Sequence, residues 1–181
     1  LSAAIHRKVY LLSPRAVPNG YRWLDALAAS YHRRIALDLS GGLAPVWLTE
    51  GLARRHEDAW RREGGFLPPP ADTNRLAEAA LVNPSPGSLF LPFEKMEPSL
   101  RVLRKPSDVF LAQIEAGDAV DFLIEKYSPG DVVKLLKSFR KSPVEEAFHD
   151  VLKTTPEELE TACGNPWGAA RGRSPKGPSD G

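Results

Sequence analysis

Glu50 is an isolated carboxylate on an otherwise apolar helix face. The stretch Pro45 to Asp58 reads PVWLTEGLARRHED, with Glu50 four residues after Val46 and three after Trp47. On a helix these positions share a face. A carboxylate there needs a partner, because burying an unpaired charge is costly. His32 and His56 flank Glu50 in the chain, and two imidazoles with a carboxylate form a donor set that zinc accepts. Neither histidine has a second one four residues away, the spacing that puts two ligands on one helix face. Both lie among arginines, in YHRRI and RRHED, which repel a cation. A metal on His32, Glu50 and His56 is therefore the weaker alternative to two solvated surface histidines. His6 and His149 have no recognisable partners.

The remaining chemistry-bearing stretches have plainer readings. Ser40-Gly41-Gly42 lacks the lysine and spacing of a phosphate-binding loop and reads as a helix stop. The Arg54-Arg55 and Arg61-Arg62 pairs are interleaved with Glu57, Asp58 and Glu63, the pattern of a solvated helix face. Asp118, Asp121 and Glu125 form a similar exposed stripe. The single cysteine, Cys163, excludes an internal disulfide and a cysteine-based zinc site. No Ser/His/Asp or Cys/His arrangement follows from spacing.

The elements that must position Glu50 are mostly helical. In 181 residues, 42% are hydrophobic and 26% charged, enough for one domain with a core. The net charge of +1 offers no basic field for nucleic acid. No apolar run is long enough for a membrane span. No signal peptide is visible, since His6, Arg7 and Lys8 interrupt the first apolar stretch. The chain begins at Leu1, which leaves room for a leader or an upstream domain.

One short strand is expected within Arg7 to Ser13. Tyr21 to Leu39 is a helix, with Trp23, Leu24, Leu27, Tyr31, Ile35 and Leu39 recurring at spacings of three and four. Pro45 opens a second helix at an N1-type position, running to about Arg62. After the break GGFLPPPA, a short helix is expected over 72–81. A proline-punctuated loop follows over 83–105. Further helices are expected from Ser107 to about Tyr127, from Val132 to Phe139, and from starts at Ser142-Pro and Thr155-Pro. Residues 1–164 form one domain, and the Gly/Pro/Ser/Arg-rich residues 165–181 form a disordered tail.

PVWLTEGLA resembles the second signature of gluzincin metallopeptidases, particularly the bacterial peptidase-MA-like domains. There, a helix of pattern WLxEGLA supplies the glutamate that is the third zinc ligand. The likeness continues in Leu11-Leu12-Ser13-Pro14-Arg15-Ala16, Gly20-Tyr21-Arg22-Trp23-Leu24-Asp25 and Asp38-Leu39-Ser40-Gly41-Gly42. LPFEKMEPSLRVL (91–103) looks like the segment leading to the family's later core helix. Leu111 to Tyr127 resembles that helix, and Pro143 to Leu159 the final helical hairpin. The whole covers roughly residues 7–162. The resemblance implies a mainly α fold, an α+β remnant: a gluzincin or zincin-like helical domain with a short N-terminal strand.

The chain departs from the family where the chemistry lies. The first signature should be HEYxH, and its gapless counterpart is Ala29-Ser30-Tyr31-His32-Arg33. Two histidines four apart are needed to reach one zinc, and the adjacent glutamate to take a proton from its water. Ala29, Ser30 and Arg33 stand in their places. His32 is one residue early, about 100° away around the helix. Gln113 is the nearest counterpart of an aromatic expected near the site. The vestigial positions are thus Ala29, Ser30, Arg33, Glu50 and Gln113, with zinc and every other cofactor lost.

The expected function is that of a non-catalytic pseudo-metallopeptidase domain, a structural or protein-interaction module with a protein or peptide partner at the former substrate cleft. The alternative is an active hydrolase with the non-standard ligands His32, Glu50 and His56. A relic or fragment is a third reading, since only one strand is convincing. Bacterial export or envelope association is implied by the resemblance alone. The register also answers the question of Glu50's partner. Arg33 takes the second histidine's place, and its guanidinium is expected to bind Glu50 as a fork.

Overall fold

Two helices, α2 (Val46–Glu57) and α3 (Pro106–Lys126), cross too closely to admit a side chain at Gly51. A methyl group there would fall 2.1 Å from the Ala116 carbonyl oxygen and 2.6 Å from Val120 Cγ2. The facing residues of α3 are correspondingly small, with Ala112, Ala116, Gly117 and Ala119 all buried. The glycine of WLTEGLA is therefore explained by packing. It brings two backbones together where any side chain would hold them apart.

The computed structural model describes residues 2–5, 8–11, 13–16, 23–57, 59 and 91–163. Over these the chain is mainly helical. An antiparallel hairpin of β1 (Ser2–Ile5) and β2 (Lys8–Leu11), in register Ser2 to Leu11, precedes α1 (Trp23–Ser40) and α2. Short 3-10 turns at Phe93–Met96 and Leu100–Val102 lead into α3. Then come α4 (Pro129–Ser138), α5 (Val144–Leu152) and α6 (Pro156–Cys163). The expected strand is β2, and the hairpin adds β1 beside it. The expected helix over 72–81 and the tail over 165–181 lie outside the described residues.

The helix ends follow local chemistry. Gly41 and Gly42 adopt φ of 67° and 81°, and the Gly42 N–H donates to the Leu37 carbonyl at 2.8 Å, closing α1. Arg140 crosses from the turn after α4 and donates to the last carbonyls of α1, those of Leu39 at 2.9 Å and of Asp38. Pro45 precedes α2 rather than opening it: its carbonyl accepts the Thr49 N–H at 3.2 Å, and the Val46 N–H is taken by Glu97 Oε1 at 2.6 Å. α4 begins three residues earlier than expected. Ser128 accepts the Asp131 N–H at 3.0 Å, so Pro-Gly-Asp is the first helical turn. Ser142 does not cap α5; Pro143 holds that place. Thr155 and Glu158 form a reciprocal capping box at the start of α6.

The apolar stripe of α1 marks the helix but does not enter the core as a whole: Trp23, Leu24, Tyr31 and Ile35 are 37–57% exposed, while Leu27 and Leu39 are half-buried. The buried residues of α1 are instead Asp25, Ser30, Ala36 and Ser40. The cause is proximity: α1 packs along α2, and small residues allow that approach where bulky ones do not. The core lies on the other side of α2. Trp47 stacks on Phe93 at 4.3 Å between centroids, and Phe148 packs against both Trp47 and Phe139.

The segment 91–93 is strapped down by two carboxylates. Glu115 on α3 accepts the Leu91 N–H on both oxygens, at 3.1 and 3.0 Å. Glu160 on α6 accepts the Phe93 N–H at 2.5 Å. Burial pushes the Glu115 carboxyl up to about 7, partly opposed by the Leu91 N–H and reinforced by the nearby Asp118 and Glu160 charges.

Two outcomes follow. Gly51→Ala should lower the unfolding free energy by at least about 2 kcal/mol, read from a denaturant midpoint, because Ala116 backbone blocks the added carbon. Glu115 binds its proton more tightly in the folded chain than at its ordinary value of 4.5, so its contribution is full below pH 4.5 and lost as pH rises through 7. The loss should be on the order of 2 kcal/mol, and Glu115→Gln should flatten that slope in a pH series of unfolding curves.

Candidate functional site

The Arg33 side chain meets Glu50 as a fork. Nε donates to Oε1 at 2.8 Å and Nη2 donates to Oε2 at 2.5 Å. The two side chains are 26% and 18% exposed, so the pair is partly buried. Local geometry produces this. Gly51 is pinned against α3, and one residue back along a helix is a turn of about 100°, which aims Glu50 toward α1. On α1, residues 30, 33, 36 and 40 share the face turned to α2. Arg33 is the long cation on that face, and its planar guanidinium matches both carboxylate oxygens.

The other positions singled out in the sequence are less coherent. Ser30 is fully buried, while Ala29 is half-buried beside it. Gln113 is half-buried on α3, and no hydrogen bond joins it to Arg33 or Glu50 among the described residues. Tyr31 points outward, 57% exposed.

His32 and His56 come together, but not around Glu50. Their rings stack face to face at 3.9 Å between centroids and 10° between planes. His32 Nδ1 lies 2.8 Å from the Ala28 carbonyl oxygen. A carbonyl only accepts, so that nitrogen carries the proton. Stacked imidazoles direct their nitrogen lone pairs in parallel planes rather than to one point. Among the described residues no group of three His, Cys, Asp or Glu side chains is arranged to hold a metal ion.

The zinc that the resemblance implies does not fit these residues. Position 29 has no donor atom, and position 33 carries a fixed positive charge. Both oxygens of Glu50 are already engaged by that charge. A zinc site takes three protein ligands or more, and here the Glu50 carboxylate is turned to a guanidinium.

Around the site, some charged residues follow the sequence pattern and others do not. Arg54 pairs with Glu57 along the helix at 2.5 Å, as a solvated face would. Arg55 reaches across to Asp121, so two groups assigned to separate exposed stripes tie α2 to α3. Glu97, assigned only to a loop, caps α2 from 51 residues away. No local pattern signals such a partner. Comparison with protein-family models, curated proteins and solved structures yields no match to this chain.

Breaking the fork should be asymmetric. Arg33→Ala strands a partly buried carboxylate, whereas Glu50→Gln removes the charge and keeps an acceptor for the guanidinium. The first should cost about 1–2 kcal/mol by chemical denaturation and the second less than about 1 kcal/mol, since solvent screens part of the interaction. Equal costs would show that the carboxylate charge is indifferent to Arg33.

Proposed function

We propose that this domain is a non-catalytic pseudo-metallopeptidase, a gluzincin-like scaffold serving as a structural or protein-interaction module. The observation that carries the reading is the Arg33–Glu50 fork. In the resemblance, Arg33 stands for the second zinc histidine and Glu50 for the third ligand, so the two positions that should converge on a metal converge on one another. A guanidinium returns one of the two positive charges that loss of the metal removes. Ala29 and Ser30 supply neither a ligand nor a general base.

The close seat of Gly51 on Ala116 supports the same reading, since it accounts for the glycine of WLTEGLA by packing alone. Retention of such a scaffold without its reactive residues favours a binding or architectural role over a hydrolytic one. No helix among the described residues is long and apolar enough to cross a membrane.

Elemental analysis after dialysis against zinc should find well below one equivalent per chain, and a generic fluorogenic peptide set should remain uncleaved. Stoichiometric zinc that disappears in Arg33→Ala or Glu50→Gln, or in substitutions of His32 or His56, would overturn the reading.

A further inference from the structure

A groove among the described residues lies at the N-terminal end of α2, lined by neither Arg33 nor Glu50. Its volume is about 690 Å³, the scale of a site that accepts a ligand or a short chain segment. Its accessible apolar lining comes from exposed Leu43, Pro92 and Pro98 and half-buried Val46 and Val144, over the buried Trp47–Phe93 stack. Prolines 92, 98 and 156 stiffen its edges. Five glutamates line it, Glu94, Glu97, Glu145, Glu157 and Glu160, and no lysine or arginine does. The whole chain has a net charge of only +1, so this one-sided lining is a local concentration of negative charge.

The five carboxylates divide by role. Glu97 and Glu160 each accept a backbone N–H, from Val46 and Phe93, and so hold the walls in place. Glu94, Glu145 and Glu157 are exposed and make no ion pair among the described residues. Glu145 and Glu157 stand in the first turns of α5 and α6. An apolar lining under a rim of unpaired carboxylates is complementary to a chain with cationic side chains on either side of apolar ones.

We propose that this groove docks an extended peptide segment of a partner protein, one that alternates lysine or arginine with apolar residues. The apolar side chains lie against Leu43, Pro92, Pro98 and Val144, and the cations reach Glu94, Glu145 and Glu157. The inference rests on the reading of the domain as a binding rather than a cleaving module, and it places the binding surface outside the vestigial metal site.

The test is fluorescence anisotropy of the full chain with a short labelled peptide alternating lysine and leucine, against a counterpart with glutamate for lysine. Saturable binding of the first alone is expected, weakened about fivefold to tenfold in the double variant Glu145→Gln/Glu157→Gln. A control double variant outside the groove, Glu125→Gln/Asp150→Asn, should bind as the parent does. Circular dichroism checks that both variants fold. The proposal fails if neither peptide binds, if both bind alike, or if the groove variant binds as tightly as the parent. It fails equally if spermine competes as strongly as the peptide, which makes the site one for small polycations. A gain in affinity on removing residues 165–181, which include Arg171, Arg173 and Lys176, would assign the groove to the chain's own end and overturn it too. Metal-free protein that leaves the peptide intact and unbound defeats the groove alone. Zinc-dependent cleavage of the peptide defeats the non-catalytic reading on which it rests.

Discussion

The backbone contact between Gly51 and Ala116 is the constraint from which the rest of the site follows. Most helix pairs meet through side chains, which leave rotational slack. Here a single added carbon would collide with a carbonyl oxygen at 2.1 Å, so α2 cannot roll on α3. With Gly51 turned to α3, Trp47 and Leu48 enter the core and Glu50 faces α1. α1 then has to meet α2 with small residues, Ser30, Ala36 and Ser40, and with a cation at the one place where a carboxylate arrives.

The Arg33–Glu50 pair matters more for position than for stability. Both side chains keep some contact with solvent, and ion pairs of that kind contribute modestly. What the fork does is satisfy both carboxylate oxygens and fix the separation of α1 and α2. A divalent ion would draw in several ligands from different directions, whereas a guanidinium binds one carboxylate in one plane. His32 and His56 stack on each other and do not converge on Glu50.

Carboxylates perform a second structural task on the opposite side of α2. Glu97, Glu115 and Glu160 each accept a backbone N–H from a distant segment. Through them the stretch 91–103, which has only two short 3-10 turns of its own, is tied to three helices. A consequence is that the N-terminal ends of α2, α5 and α6 border one groove whose lining is acidic. The glutamates that hold the walls are thus distinct from those that remain available at the rim.

The sequence by itself determined the helices and their stops. Spacings of three and four, Pro129 and Pro156 at helix starts, and Gly41-Gly42 at a helix end are local signals, and the described helices follow them within a few residues. The Arg33–Glu50 partnership was also legible, but only through the resemblance that aligned the two positions, since the residues are 17 apart on different helices. Which face of α1 turns inward was decided by the tertiary structure. Hydrophobicity favoured Trp23, Leu24, Tyr31 and Ile35, and the close approach of α2 required Ser30, Ala36 and Ser40 instead. The Glu97 cap, the Arg55–Asp121 tie and the acidic groove were likewise beyond local reading. Each joins residues far apart in the chain, and only the packing of α2 on α3 brings them within reach.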